Sequence, residues 1–323
     1  VSRFIDAFLR GISVPIYFFI SGYVFFVNVD DFTPAVWLKK LKNRTKTLLI
    51  PYLIWITLEL VLILVRSLPA FSDFVAYPDT RVNLDFKTIL SCYWVYHGGL
   101  LVGPGEPDYA GSPYPLVIPL WFLRDLMTVV LTTPLLYWML KRAKWWPLLI
   151  MGVCLILPLN WRFNLLANAF FFFSWGAYMS INRKDIFTSF SPYFKWTLIL
   201  YPLLGIAHMC LHDNVELVKI IKLVNVFVSL LLAYNLAAWL LKKSYVSVSP
   251  FLASASFFIY VSHALICNRM VKIFFMILRP DTDLEIIFTY IGAEVFIVIS
   301  LLGAFWLLRR CFPGLLKVVA GRK

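Results

Sequence analysis

The chain has 323 residues, of which 61% are hydrophobic and 15% charged, and its mean hydropathy is +0.80. A soluble domain of that length cannot hide so much apolar surface, because most of its side chains meet water at least in part. The net charge of +13 does not point to nucleic acid: the cations stand as short clusters between apolar runs, as in membrane proteins that fix their orientation this way.

Apolar runs of about 20 residues recur along the whole chain, the length needed to cross a hydrocarbon core. They predict an all-α, polytopic membrane helix bundle embedded in the lipid bilayer as one domain, 1–323. About nine spans are expected, near 11–28, 47–66, 117–138, 145–159, 165–181, 194–211, 220–241, 251–268 and 285–308. The first is "GISVPIYFFISGYVFF", which follows Arg10 and carries Pro15 and the pair Ser21-Gly22. After it comes "WLKKLKNRTK", with Lys39, Lys40, Lys42 and Arg44. The only long loop, 67–116, follows the second span and contains "FKTILSCYWVYHG", which suits a short interfacial helix, and a Gly- and Pro-rich stretch that does not.

Connecting segments alternate in charge. "WLKKLKNRTK", "KRAK", "NRKD", "KKS" and the tail with Arg309, Arg310, Lys317, Arg322 and Lys323 are basic, whereas the segments between them are poorer in cations. Positive segments stay in the cytoplasm, so the C-terminus is expected there and loop 67–116 outside. Val1 then falls on the outer side. At least one helix is expected to precede it, giving about ten in the intact protein, with both termini cytoplasmic. The five cysteines are scattered and none forms a metal-ligand pair, so neither a metal nor a bound cofactor is expected.

Three spans carry polar groups that a purely structural helix avoids. Ser21 and Gly22 either line a substrate path or let two helices approach closely. Trp121, Arg124 and Asp125 stand together in "PLWFLRDLM"; Arg124 either binds substrate or reaches the headgroups. Tyr260 and His263 belong to "SASFFIYVSH". An ionisable group that deep usually faces the bundle interior or a water-filled cavity, although a histidine satisfied by a neighbouring hydroxyl is the plainer alternative. Glu294, in the last span, either holds His263 or meets a hydroxyl. His97, His208 and His212 read as solvated residues. The basic cluster is a topology signal that also attracts polyanions.

Together, "RGISVPIYFFISGYVFF", "LKNRTKTLLIPY", "PLWFLRDLM" and "SASFFIYVSH" resemble the acyltransferase-3 family of polytopic membrane O-acyltransferases. The motifs stand in the family's order across nearly the whole chain. The resemblance implies transfer of an acyl group, usually acetyl, from a cytosolic acyl-CoA to a hydroxyl of a cell-surface glycan or glycolipid, in the bacterial inner membrane. Arg10, Arg44, Trp121 and His263 match family positions. The family's best-known Arg and His, on its first helix, have no counterpart here and are expected upstream, where that histidine would be the principal base. His263 would then orient substrate or support it, Arg124 and Arg10 would meet the acceptor or the oxyanion, and Arg44 with Lys39, Lys40 and Lys42 would meet CoA. Ser21, Gly22, Trp121, Asp125, Tyr260 and Glu294 complete the expected substrate site. A secondary transporter or glycan flippase is the rival reading, since it too places charges at mid-membrane and breaks helices with Pro and Gly; a binding protein whose catalysis has lapsed is another.

Overall fold

The structure is a computed structural model that describes residues 7–8, 13–68, 81–102, 112–157, 161–211 and 213–321. Arg10, Tyr109, His212, Arg322 and Lys323 lie outside the described residues. The elements are α1 (Ser13–Phe26), α2 (Pro34–Arg44), α3 (Ile50–Arg66), β1 (Arg81–Val82), α4 (Phe86–Trp94), β2 (Leu101–Val102) and α5 (Trp121–Leu131), followed by α6 (Thr133–Ala143), α7 (Trp146–Ile156), α8 (Trp161–Ile181), α9 (Ile186–Phe190), α10 (Phe194–Cys210), α11 (Val215–Lys242), α12 (Pro250–Leu278), α13 (Asp283–Cys311) and α14 (Pro313–Val319). The two strands are an antiparallel pair of two residues each, Arg81 opposite Val102 and Val82 opposite Leu101. Among the described residues, all other regular structure is helical.

A helix stands at each of the nine expected places, but their lengths differ from the expectation. Among the described residues, three helices are long and apolar enough to span a bilayer, Pro34–Arg66, Pro250–Leu278 and Asp283–Cys311, and a bent pair makes a fourth if it is one span. Val14–Phe26, Trp146–Ile156 and Leu165–Ile181 are apolar but shorter. The fold is that of a helical membrane protein.

Two departures have local causes. "WLKKLKNRTK" is not a connection: α2 runs on through a π-helical turn, Thr45–Leu49, into α3. Pro51 lacks an N–H and its ring crowds the carbonyl four residues back, which is that of Thr47. The widened turn accommodates this, and Gly321 approaches the same carbonyl so closely that a Cβ there would lie 2.0 Å from the oxygen. The expected span 117–138 is broken instead, with Ile118–Leu131 and Thr133–Ala143 bent by 62°. Pro134 is the breaker; the Val130 carbonyl it displaces accepts from Thr133 Oγ1 at 2.7 Å and from the Trp37 indole at 3.4 Å.

The chain divides into two compact units, 1–40 with 128–248 and 41–127 with 249–323. In the first, α1 packs on α8. Phe18, Phe19, Phe172 and Phe173 are fully buried, and Phe25 meets Phe173 at 5.9 Å between ring centroids. Gly22 and Gly176 set the approach: a Cβ on Gly22 would lie 1.9 Å from the Phe173 carbonyl oxygen, and one on Gly176 would lie 2.0 Å from that of Phe19. On α11, Asn225 donates to the Ala7 carbonyl at 3.1 Å and Asn235 to that of Phe190 at 2.9 Å.

In the second unit, α12 and α13 form an antiparallel hairpin that meets α3 and α14. Phe258 and Phe305 lie 5.8 Å apart toward its open end, and Trp55 bridges from Phe258 at 6.0 Å to the Val319 carbonyl at 2.9 Å. The Thr282 and Glu285 side chains form a capping box at the start of α13. The segment "FKTILSCYW" forms the expected short helix, α4, capped by Asp85. Phe86, Leu90 and Trp94, spaced one turn apart, form its exposed apolar edge, and Cys92 is buried. That burial pushes the Cys92 thiol up to about 11.

Candidate active site

The second unit contains most of the expected site residues. His263 sits near the middle of α12, a helix of 29 residues, about 20 Å along the axis at about 1.5 Å per residue. Ala255, Phe258, Val261, Ser262 and Leu265 are buried and seat the helix, while His263 is half-buried. Its Nδ1 lies 2.7 Å from the Tyr260 carbonyl oxygen and 3.2 Å from that of Ile259. A carbonyl only accepts, so Nδ1 carries the proton of the neutral ring and Nε2 presents its lone pair. The helix backbone fixes the tautomer that a base requires.

Tyr260, one turn earlier, has its ring 6.3 Å from the imidazole, and its hydroxyl donates to the Pro119 carbonyl at 2.5 Å. Phe122 packs edge-on against it at 6.1 Å, and Trp121 contacts Tyr114 at 6.3 Å. Tyr260 thus ties the histidine-bearing helix to the start of α5.

Arg124 and Asp125 are buried, at 8% and 3% exposure. Arg124 Nε meets Asp125 Oδ1 at 2.8 Å. Its Nη1 donates to the Trp94 carbonyl at 2.5 Å and to the Pro113 carbonyl at 2.6 Å, and its guanidinium lies 5.4 Å from the Trp94 ring centroid. These contacts clamp two stretches of loop 67–116 to α5. They hold the Nε and Nη1 donors of Arg124 on Asp125 and on two of the protein's own carbonyls. Tyr52 supports the same loop by donating to the Tyr93 carbonyl, and Thr57 Oγ1 lies 2.8 Å from the Tyr93 hydroxyl.

Glu294 accepts from the Cys267 thiol at 3.2 Å. It also takes a hydrogen bond from the Tyr290 hydroxyl on its own helix, so Glu294 meets a sulfur one turn beyond His263 and a hydroxyl, the second of the two expected alternatives. Ser21 and Gly22 belong to the first unit, where the Phe173 backbone occupies the space beside Gly22, so close helix approach accounts for that glycine. Lys39 and Lys42 are exposed and Lys40 and Arg44 half-buried along α2; Lys40 Nζ lies 5.1 Å from the Phe25 ring centroid.

One half-buried pair escaped the sequence pattern. Arg269 meets Glu59 at 2.7 Å, with side-chain exposures of 36% and 16%. Glu59 is the only acid in the apolar run of α3, a signal that was available; Arg269 lies one residue past the expected end of its span.

A model of the acyltransferase domain (Acyl_transf_3) matches residues 1–310 of the chain. A curated relative, the succinoglycan biosynthesis protein ExoH of Rhizobium meliloti (strain 1021), is 32% identical over 184 residues, 57% of this chain. The match spans 44% of that relative's length. No solved structure matches. With the family model covering nearly its whole length, the chain belongs to the acyltransferase-3 family.

Proposed function

We propose that the protein is a membrane O-acyltransferase that moves an acyl group, acetyl in the simplest case, from cytosolic acyl-CoA to a hydroxyl of a cell-surface polysaccharide or glycolipid. The family supports acyl transfer, and the relative's name, succinoglycan biosynthesis, supports a polysaccharide acceptor. The observation that carries the reading is His263, an imidazole held by its own helix with Nε2 as acceptor.

The chemistry follows from the groups. A sugar hydroxyl is a poor nucleophile until a base draws its proton. In this reading Nε2 of His263 accepts that hydrogen bond and the proton as the oxygen attacks the thioester carbonyl, the role that the family resemblance gave to a histidine expected upstream. The tetrahedral intermediate collapses by expelling the CoA thiolate, which takes up a proton, and the ester remains on the acceptor. Lys39, Lys40, Lys42 and Arg44 hold the CoA phosphates, consistent with the basic segments facing the cytoplasm. Arg124 and Asp125 position the loop over the acceptor side, in place of direct contact with the reacting atoms. The C-terminus is cytoplasmic in this reading, and the protein lies in the bacterial inner membrane.

The test is to supply labelled acetyl-CoA, and separately labelled succinyl-CoA, to membranes with and without the protein. Transfer predicts alkali-labile label in the polysaccharide fraction that depends on the protein. Glycan movement across the membrane with no label incorporated overturns the enzyme in favour of a flippase.

A further inference from the structure

The mechanism above leaves the Glu59–Arg269 pair without a task. Apart from Arg66 at its end, Glu59 is the only charged residue of α3, and a carboxylate within an apolar span is retained where it faces the bundle or a polar cavity. Arg269 Nη2 meets Glu59 Oε1 at 2.7 Å, and Nη1 donates to the Leu265 carbonyl of its own helix. Arg66, two turns beyond Glu59, lies in the field of both groups.

A pair that only pins α3 to α12 would use both carboxylate oxygens, as arginine forks commonly do. Here Glu59 Oε2 is buried and has no hydrogen-bond partner among the described residues. A buried acceptor left unmade is costly, so the oxygen points to a donor supplied from elsewhere. A guanidinium has five N–H donors, and the two bonds above leave others in hand. An unpaired acceptor beside spare donors is complementary to a sugar ring, whose adjacent hydroxyls each donate and accept. The pair also lies on the halves of α3 and α12 remote from the basic segments Lys39–Lys46 and Lys242–Lys243, the side from which a cell-surface acceptor arrives in the proposed function.

We infer that Glu59 and Arg269, with Arg66 beside them, form an acceptor-recognition site for vicinal hydroxyls of a sugar ring. Glu59 Oε2 accepts from one hydroxyl, and Arg269 donates to the oxygen of its neighbour. The site binds the saccharide; His263 acts on the hydroxyl that is acylated. This rests on the proposed function for the acceptor's identity as a glycan, but it concerns binding and is tested apart from turnover.

The experiment uses the full chain in detergent with oligosaccharides prepared from the host's own surface polysaccharide, comparing wild type with Glu59→Gln and Arg269→Gln. Oligosaccharide is expected to raise the melting temperature of the wild type, with an affinity about 10–100-fold weaker in each variant, the range for hydrogen bonds to charged groups. In the transfer assay, KM for the acceptor rises by a similar factor while KM for acyl-CoA is unchanged. Equal oligosaccharide affinity in wild type and Glu59→Gln overturns the inference, as does a loss that reaches both substrates alike, which marks a structural pin. Stabilisation by oligosaccharide without any acyl transfer would refute the proposed enzyme and leave the binding site standing. Transfer with unchanged acceptor dependence would do the reverse.

Discussion

Arg124→Gln is the perturbation whose consequence follows most directly from the geometry. In the wild type one side chain, 7% exposed, holds Asp125 at 2.8 Å and the carbonyls of Trp94 and Pro113 at 2.5 and 2.6 Å. Hydrogen bonds to a charged group contribute about 1.5–3 kcal/mol each, and breaking a buried pair from one side costs about 3–5 kcal/mol because the other charge stays buried. These terms overlap, since all share the guanidinium, so the expected loss is about 3–5 kcal/mol rather than their sum. Asp125 Oδ2 is already without a partner among the described residues, which leaves the carboxylate little to fall back on. The assay is unfolding of the detergent-solubilised protein, with proteolysis within residues 95–112 as a local readout. Arg124→Gln is expected to melt early and to be cut faster there. The pair Arg124→Gln with Asp125→Asn should recover part of the loss, because no charge is then stranded. A single variant within about 0.5 kcal/mol of wild type, and no more sensitive to protease, would refute the clamp.

Other outcomes follow from single contacts. Gly22→Ala should destabilise the protein by about 1–3 kcal/mol or more, since its Cβ would lie 1.9 Å from the Phe173 oxygen; an unchanged melting temperature would contradict the close approach of α1 and α8. The Cys92 thiol, raised to about 11 by burial, should resist maleimide at pH 7.5 in the folded protein, because little thiolate forms below that value. Labelling of Cys92 should rise as the pH is taken toward it, and labelling at neutral pH as fast as for an unfolded control would count against the buried position. Replacing Lys39, Lys42 and Arg44 together by Gln should raise KM for acyl-CoA and leave KM for the acceptor unchanged; a change confined to the acceptor would remove them from the donor site.

Helix class was legible because an apolar run long enough to cross a bilayer has few other uses; the lengths of the individual helices were not, since among the described residues only three have span length and a bent pair can supply a fourth. The course of the chain between the runs was less so. Lys39–Lys46 read as a connection because five cations interrupt hydrophobicity, yet they lie on a helix that simply continues, with Pro51 taken up by a π turn. The break at Thr132 was written in Thr-Thr-Pro, but hydropathy averages across such a break. Among the site residues, Tyr260 and His263 stood out because polar groups are costly at that depth. What Arg124 touches was hidden, since its partners are backbone carbonyls from residues 94 and 113, and carbonyls leave no mark in a sequence. Glu59 and Arg269 were hidden for another reason: the pair spans 210 residues of chain and only the fold brings them together.

The central claim is that His263 draws the proton from the acceptor hydroxyl during acyl transfer. It is tested most directly by the rate of ester formation on the polysaccharide in membranes carrying equal amounts of wild type and His263→Ala, at saturating acyl-CoA. A positioned acid–base group contributes about 10²–10⁴-fold. The account predicts a fall in kcat within that range, with an unchanged melting temperature and an unchanged KM for acyl-CoA. Wild-type turnover by His263→Ala would contradict it.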